Sequence, residues 1–283
     1  MGVAAAAIKG GGMRLDDLKE LSGDVLLFGG PYSNLSALRA LLAKADHLGI
    51  PPGRCICTGD IVAYGAEAAE CVTLVREAGM PVVAGNCERQ LGAGAADCGC
   101  GFDEGSACDL ASASWYGHAM RMLGRDACDW MAGLPDAVTF RHAGKRYAVI
   151  HGGISDIARF LWPVSPEAAF AEEIALLPGT VERVIAGHCG LPFLRRVGRV
   201  EWINAGVIGM PPHDGGTQTR FAVLSAAGEV RIERLDYDPG PSVAAMQAAG
   251  LVQGYESALL SGWWPSEDIL PPQLRRGYLR ASG

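Results

Sequence analysis

Four polar residues occupy matching places in the chain. Asp60, Asn86, His151 and His188 each follow a short apolar run directly, and each lies beside a glycine: Gly59-Asp60, Gly85-Asn86, His151-Gly152 and Gly187-His188. One carboxylate, one amide oxygen and two imidazoles make a first shell for one divalent transition metal, Mn, Fe, Co or Zn. Any one of the four, taken singly, reads better as a capping or core residue. Four at equivalent positions argue for a shared site, and His47, His118, His142 and His213 lack that context.

The elements that must position them are legible around each run. DVLLFG (24–29) ends in glycine and precedes Asn34, an N-cap residue, with Leu35, Leu38, Leu41, Leu42 and Ala45 at helical spacing. RCICTGD (54–60) precedes a second helix carrying Ala68, Cys71, Val72, Val75 and Ala78 on one face, and PVVAGN (81–86) reads as a third strand. This alternation predicts βαβ units around a largely parallel, buried sheet. In such sheets, sites form beyond the carboxyl ends of the strands, where glycine permits close approach. Further strands are expected over 145–153, 182–188 and 199–204, then a hairpin of 219–225 with 229–235 turning through Ala227-Gly228. Residues 92–110 read as a loop, and 106–133 as one or two helices containing Trp115 and Trp130. The organisation expected is an N-terminal extension (1–22), a main domain (23–237) and a C-terminal extension (238–283) packed on it. That last piece holds an amphipathic stretch at 241–260 and Trp263-Trp264-Pro265.

Composition narrows the partners. Among 283 residues, 24 basic against 31 acidic side chains give a net charge of −7, with no Lys/Arg block, so no nucleic acid partner is expected. No run approaches the roughly 20 apolar residues that span a bilayer, so no membrane association is expected either. Nine cysteines, an odd number, without an export signal point to the reducing cytoplasm. Nothing in the sequence fixes an oligomeric state.

Taken in order, GDIVAYG (59–65), GNCE (85–88), HGG (151–153), GHCG (187–190) and NAGVIG (204–209) resemble the calcineurin-like metallophosphoesterases, closest to the small bacterial phosphodiesterase branch, over about residues 24–235. The resemblance implies an α/β fold, a four-layer α/β/β/α sandwich of two mixed sheets flanked by helices. It also implies phosphoester hydrolysis by two metals and a bridging hydroxide. The departures from the family pattern are confined. Where the family opens with D-x-H-G-N, this chain reads Gly30-Pro31-Tyr32-Ser33-Asn34; the histidine of G-N-H-[DE] is Cys87; the last histidine of G-H-x-H is Gly190. By the resemblance, the missing aspartate, its neighbouring histidine and the last histidine bind the first metal and the histidine replaced by Cys87 assists the leaving group, whereas Asp60 bridges both ions and Asn86, His151 and His188 bind the second. Half of a dinuclear site is missing and the other half is whole, which points to a mononuclear site or to different chemistry.

Three readings follow. The first is an atypical phosphoesterase or phosphodiesterase acting on a small phosphorylated molecule with one metal on Asp60, Asn86, His151 and His188. Tyr32, Ser33 and Asn34 are then candidate substrate-binding residues, and His188 and Cys87 candidate catalytic ones, Cys87 as ligand, weak general acid or inert replacement. The second is an inactive binding or regulatory protein of the same fold. The third is a thiol-rich metal or redox site drawing on Cys87, Cys189, Cys98 and Cys100, with Cys108, Asp103 and Glu104 in the same loop. Cys55, Cys57, Cys71 and Cys128 read as core. Phe160, Leu161 and Trp162 are candidates for a substrate wall or for core packing, and Arg195, Arg196 and Arg199 read as surface residues.

Overall fold

The computed structural model describes residues 13–100 and 107–281. The first half runs β1 (Leu15–Glu20), β2 (Val25–Phe28), α1 (Leu35–His47), β3 (Cys55–Cys57), α2 (Ala68–Glu77), α3 (Asn86–Ala93), α4 (Ala107–Met122) and α5 (Arg125–Gly133). The second half runs β4 (Ala137–His142), β5 (Lys145–Val149), α6 (Glu167–Leu176), β6 (Arg183–Ala186), β7 (Pro192–Val197), β8 (Val200–Ala205), β9 (Thr219–Leu224) and β10 (Val230–Leu235). Three short helices close the chain: α7 (Gly240–Ala248), α8 (Tyr255–Ser261) and α9 (Arg276–Ala281).

The strands form two mixed sheets, ordered β1-β4-β5-β6-β8-β7 and β10-β9-β2-β3. Strands β5, β6 and β8 run parallel, as do β2 and β3, while β7 and β9 pair antiparallel with their neighbours. Successive side chains of a strand point to opposite faces, and that alternation builds the layers. Val25 and Leu27 of β2 meet Val149, Ile185 and Ile203 between the sheets. Leu26 and Phe28 face the other way, against Leu38 and Leu41 of α1 and Val72 and Val75 of α2. Behind the larger sheet, Val184 and Trp202 pack on Phe170 of α6. Each such buried side chain contributes about 1.5–3 kcal/mol. The four-layer α/β/β/α sandwich implied by the sequence is therefore the observed architecture.

Helix α1 starts where Asn34 Oδ1 accepts the Ala37 N–H at 3.0 Å, and buries Leu35, Leu38, Leu41 and Ala45. Strands β4 and β7 and helix α6 go beyond the sequence reading, and three further elements differ from it. Residues 81–86 make only a parallel bridge between Cys57 and Val82; Pro81 has no N–H to pair, and the Ala84 N–H leaves for the Pro135 carbonyl at 2.9 Å. Helix α3 begins at Asn86 itself, since Glu88 in its first turn accepts the Gly85 N–H at 2.9 Å. Strand β1 falls within the stretch read as an N-terminal extension, pairing in parallel with β4 at the edge of the larger sheet. Among the described residues, no helix is long and apolar enough to cross a membrane.

Candidate metal centre and its pocket

Four loops leave the strand ends and converge. Asp60 lies three residues beyond β3, Asn86 opens α3, and His151 and His188 each lie two residues beyond β5 and β6. All four are buried. Asp60 and His188 hold φ at +56° and +60°, in the left-handed region that non-glycine residues rarely adopt, so the surrounding structure fixes them there. The loops also need Gly59: a Cβ on it would lie 2.6 Å from the Gly85 nitrogen and 2.9 Å from His151 Nδ1.

Hydrogen bonding orients the inward-facing atoms. His151 Nδ1 lies 2.6 Å from the Thr58 carbonyl, which can only accept, so Nδ1 carries the proton and Nε2 presents a lone pair in the neutral ring. Asn86 Nδ2 donates to the Cys98 carbonyl at 3.0 Å, which turns Oδ1 inward. His151 Nε2 then stands 3.0 Å from His188 Nδ1, 3.1 Å from Asn86 Oδ1 and 3.3 Å from Asp60 Oδ2. Acceptors crowded this closely repel one another unless a cation lies among them. An ion with ligands at about 2.1 Å in octahedral array sets neighbouring ligands about 3.0 Å apart. Asp60 Oδ1 is also buried without a hydrogen-bond partner. The residues present therefore fit a divalent metal, and Asp60, His151 and His188 form a group able to hold one.

Without metal, a proton takes the cation's place. Burial opposes charge on His151, but the Asp60 carboxylate overcomes it and holds the imidazole above its ordinary pKa. Burial likewise opposes the Asp60 charge, yet His151 holds that carboxyl below the usual range. Burial, then the His151 charge, press His188 down to about 3. Glu88, which sequence reasoning passed over, accepts the backbone N–H groups of Asp60 at 2.8 Å and Val62 at 3.3 Å besides that of Gly85. Burial and the neighbouring Asp60 push it up to about 7. Its signal was its place in the first turn after Gly85-Asn86.

The structure places the cysteines unequally. Cys87 lies beside Asn86, its Sγ 3.5 Å from Nδ2; burial, then Asp60 and Glu88, raise its thiol well above the ordinary value. Cys189 lines the pocket, but its sulfur is taken by Asn204 Nδ2 at 3.2 Å, and burial pushes it up to about 12. Cys98 and Cys100 are joined in a disulfide rather than standing as two free thiols, with Cys100 Sγ 3.4 Å from Asn86 Nδ2. The side chains of Asp103, Glu104 and Cys108 lie outside the described residues. Cys55, Cys57 and Cys71 are buried in the core behind the smaller sheet, and Cys128 packs partly buried against it.

Rings occupy the space around the positions where the resemblance leads one to expect further ligands. The Tyr32 ring lies directly over Gly30, leaving no space for a side chain there. A Cβ at Gly190 would lie 3.5 Å from the Trp264 ring and 3.8 Å from the Tyr32 hydroxyl. Tyr32 lines the pocket, whereas Ser33 and Asn34 line a separate small cavity; Asn34 caps α1 and donates to the Gly209 carbonyl at 3.1 Å. Phe160 and Trp162 stack 5.1 Å apart on one wall, with Phe160 4.2 Å from the His188 ring, while Leu161 belongs to the core. Arg195 donates to the Pro163 carbonyl and does not reach the pocket. The roof comes from the C-terminal segment: Tyr255, Trp264 and Ile269. The cavity they enclose has a volume of about 60 Å³.

Fold and site together define a class. A model of the calcineurin-like phosphoesterase superfamily domain matches residues 33–229, and the chain belongs to that superfamily. Its fold is similar to that of a metallophosphoesterase from Sphaerobacter thermophilus, with 20% identity, a TM-score of 0.65, and 86% of this chain covering 100% of that one. It is likewise similar to the hypothetical protein PH1004 of Pyrococcus horikoshii OT3, with 16% identity, a TM-score of 0.68, and 84% of this chain covering 98% of that one. Over 55 residues it is 46% identical to the uncharacterized protein MJ0912 of Methanocaldococcus jannaschii; the match takes in 19% of this chain and 22% of that relative.

Proposed function

We propose that the chain is an atypical metallophosphoesterase that hydrolyses a small phosphoester or phosphodiester with a single divalent transition metal held by Asp60, Asn86, His151 and His188. The observation that carries this reading is the convergence of acceptors on His151 Nε2 beside a vacated half-site closed by Tyr32 and Trp264. A divalent ion, when bound, polarises a phosphoryl oxygen and lowers the pKa of water. The chain's own groups do the rest. Thr58 keeps the His151 proton on Nδ1, so Nε2 stays free as a ligand. Glu88 ties the Asp60 and Gly85 backbones together and so fixes the spacing of two ligands. Tyr32, its phenol held neutral chiefly by burial, offers an O–H to a phosphoryl oxygen on the side where a second ion is missing. Cys87, held as a thiol, is a proton source for the leaving group.

Hydrolysis of bis(4-nitrophenyl) phosphate by Mn²⁺-supplemented protein, abolished in His188→Ala, is the expected result. Absence of turnover across divalent metals, with metal still bound, would overturn the hydrolase reading. It would favour the second one, a metal-holding binding protein, for which the replacement of the leaving-group histidine by Cys87 already speaks. A thiol-rich site is favoured less, because Cys189 is engaged by Asn204 and Cys98 is tied to Cys100.

A further inference from the structure

The loss of half the metal site changes the charge of the pocket as well as its shape. Asp60 is the only carboxylate among the four ligands, so a divalent ion there leaves at most one net positive charge, and the neighbouring Glu88 can only subtract from it. Among the described residues that line the pocket there is no lysine or arginine. A phosphomonoester dianion or a polyphosphate would be buried with charge unmatched, which is costly in an enclosed site. A phosphodiester carries one negative charge and is matched.

The walls say what the ester carries. Tyr64 lies 4.3 Å from Tyr255, Phe160 stacks on Trp162, and Trp264 closes the end where the sequence lacks its last histidine. Two of these rings, Tyr255 and Trp264, come from the C-terminal segment beyond residue 238. The segment is seated by Trp264 Nε1 on the Pro211 carbonyl at 2.7 Å and by the Trp264 N–H on His213 Nδ1 at 2.9 Å. Flat faces of this kind hold flat, uncharged groups.

We propose that the site selects a singly charged phosphodiester bearing a flat, uncharged ring, and that Trp264 and Tyr255 of the C-terminal segment are the residues that select it. This rests on the metal-dependent reading above. With so little open space beneath the roof, Trp264 must ease outward as the ring enters.

The test is a calorimetric titration of the Mn²⁺-loaded full chain with diphenyl phosphate, phenyl phosphate and dimethyl phosphate. Diphenyl phosphate is expected to bind at least about tenfold tighter than either of the others. Trp264→Leu, which keeps apolar cover but removes the ring, is expected to erase most of the preference over dimethyl phosphate. If that variant melts early, Tyr255→Leu serves in its place. Equal binding of diphenyl and dimethyl phosphate overturns ring selection, and phenyl phosphate binding as tightly as the diester overturns charge selection. A ring and charge preference without any turnover leaves this proposal standing and removes the hydrolase reading. Turnover without the preference does the reverse. No binding of any ester by the Mn²⁺-loaded chain contradicts both.

Discussion

The crowding of acceptors around His151 Nε2 makes a proton and a metal compete for one place, and pH decides between them. Glu88 and His151 are raised above their ordinary values of 4.5 and 6.5. The stability they give is complete below those values and is lost as pH rises through the folded ones. Asp60 is lowered from 3.8, so its contribution is present above that value and lost in acid. His188, pressed down to about 3, contributes fully only above 6.5, so it is above that value that the metal-free chain is expected to weaken, melting at lower temperature at about pH 8.5 than at about pH 7. Mn²⁺ must displace the His151 proton, so its affinity should rise over the same interval with proton release. Melting curves with and without Mn²⁺ check this, and a gap between them that stays constant with pH contradicts it. Glu88→Ala strands three buried N–H groups and is expected to destabilise by about 3 kcal/mol or more. Denaturant titration measures that loss, and a change below about 1 kcal/mol would remove Glu88 from the account.

Between elements, the site depends on how closely the strand-end loops approach. Gly59→Ala would push a methyl into Gly85 and His151 at a φ of +94°, and should cost about 2 kcal/mol or more together with metal binding. Gly190→His restores the ligand type that the family carries, yet its side chain would enter the space held by Trp264 and Tyr32. The variant is expected to lose stability and gain no second ion; a second ion bound with unchanged melting would show that the rings do not close the half-site. These elements were unequally legible. Asp60, Asn86, His151 and His188 could be read because each ends an apolar run at a glycine, a local pattern. Helix α3 was not read, because its start depends on Glu88 folding back onto Gly85, which looks like the end of a strand. Strand β1 was not read either: LDDLKE has two apolar residues, is mostly exposed, and is held as a strand by its partner β4.

For the molecule as a whole, the C-terminal segment is part of the site. Nothing local in Trp263-Trp264-Pro265 says that Trp264 reaches Gly190, since contacts across that separation follow from the packed fold. The resemblance marks Gly30, Tyr32 and Gly190 as departures from the family pattern, but that the Tyr32 and Trp264 rings fill the space around them is visible only in the packed fold. The seat of the roof is expected to respond to pH. His213 Nδ1 accepts the Trp264 N–H, and Nε2 donates to Glu267 at 2.7 Å, so the ring is neutral in this arrangement. Burial, working against Glu267, lowers its pKa below 6.5, so this contribution is present above 6.5 and lost as pH falls through the lowered value. Hydrogen exchange of the 263–270 backbone should accelerate in acid before the sheets open. Exchange of roof and sheets in step would contradict this role of His213. Counting the Mn²⁺ bound at saturation by native mass spectrometry decides whether each chain holds one metal. One ion per chain, lost in both Asp60→Ala and His188→Ala, is the predicted result; two ions per chain, or none, would contradict it.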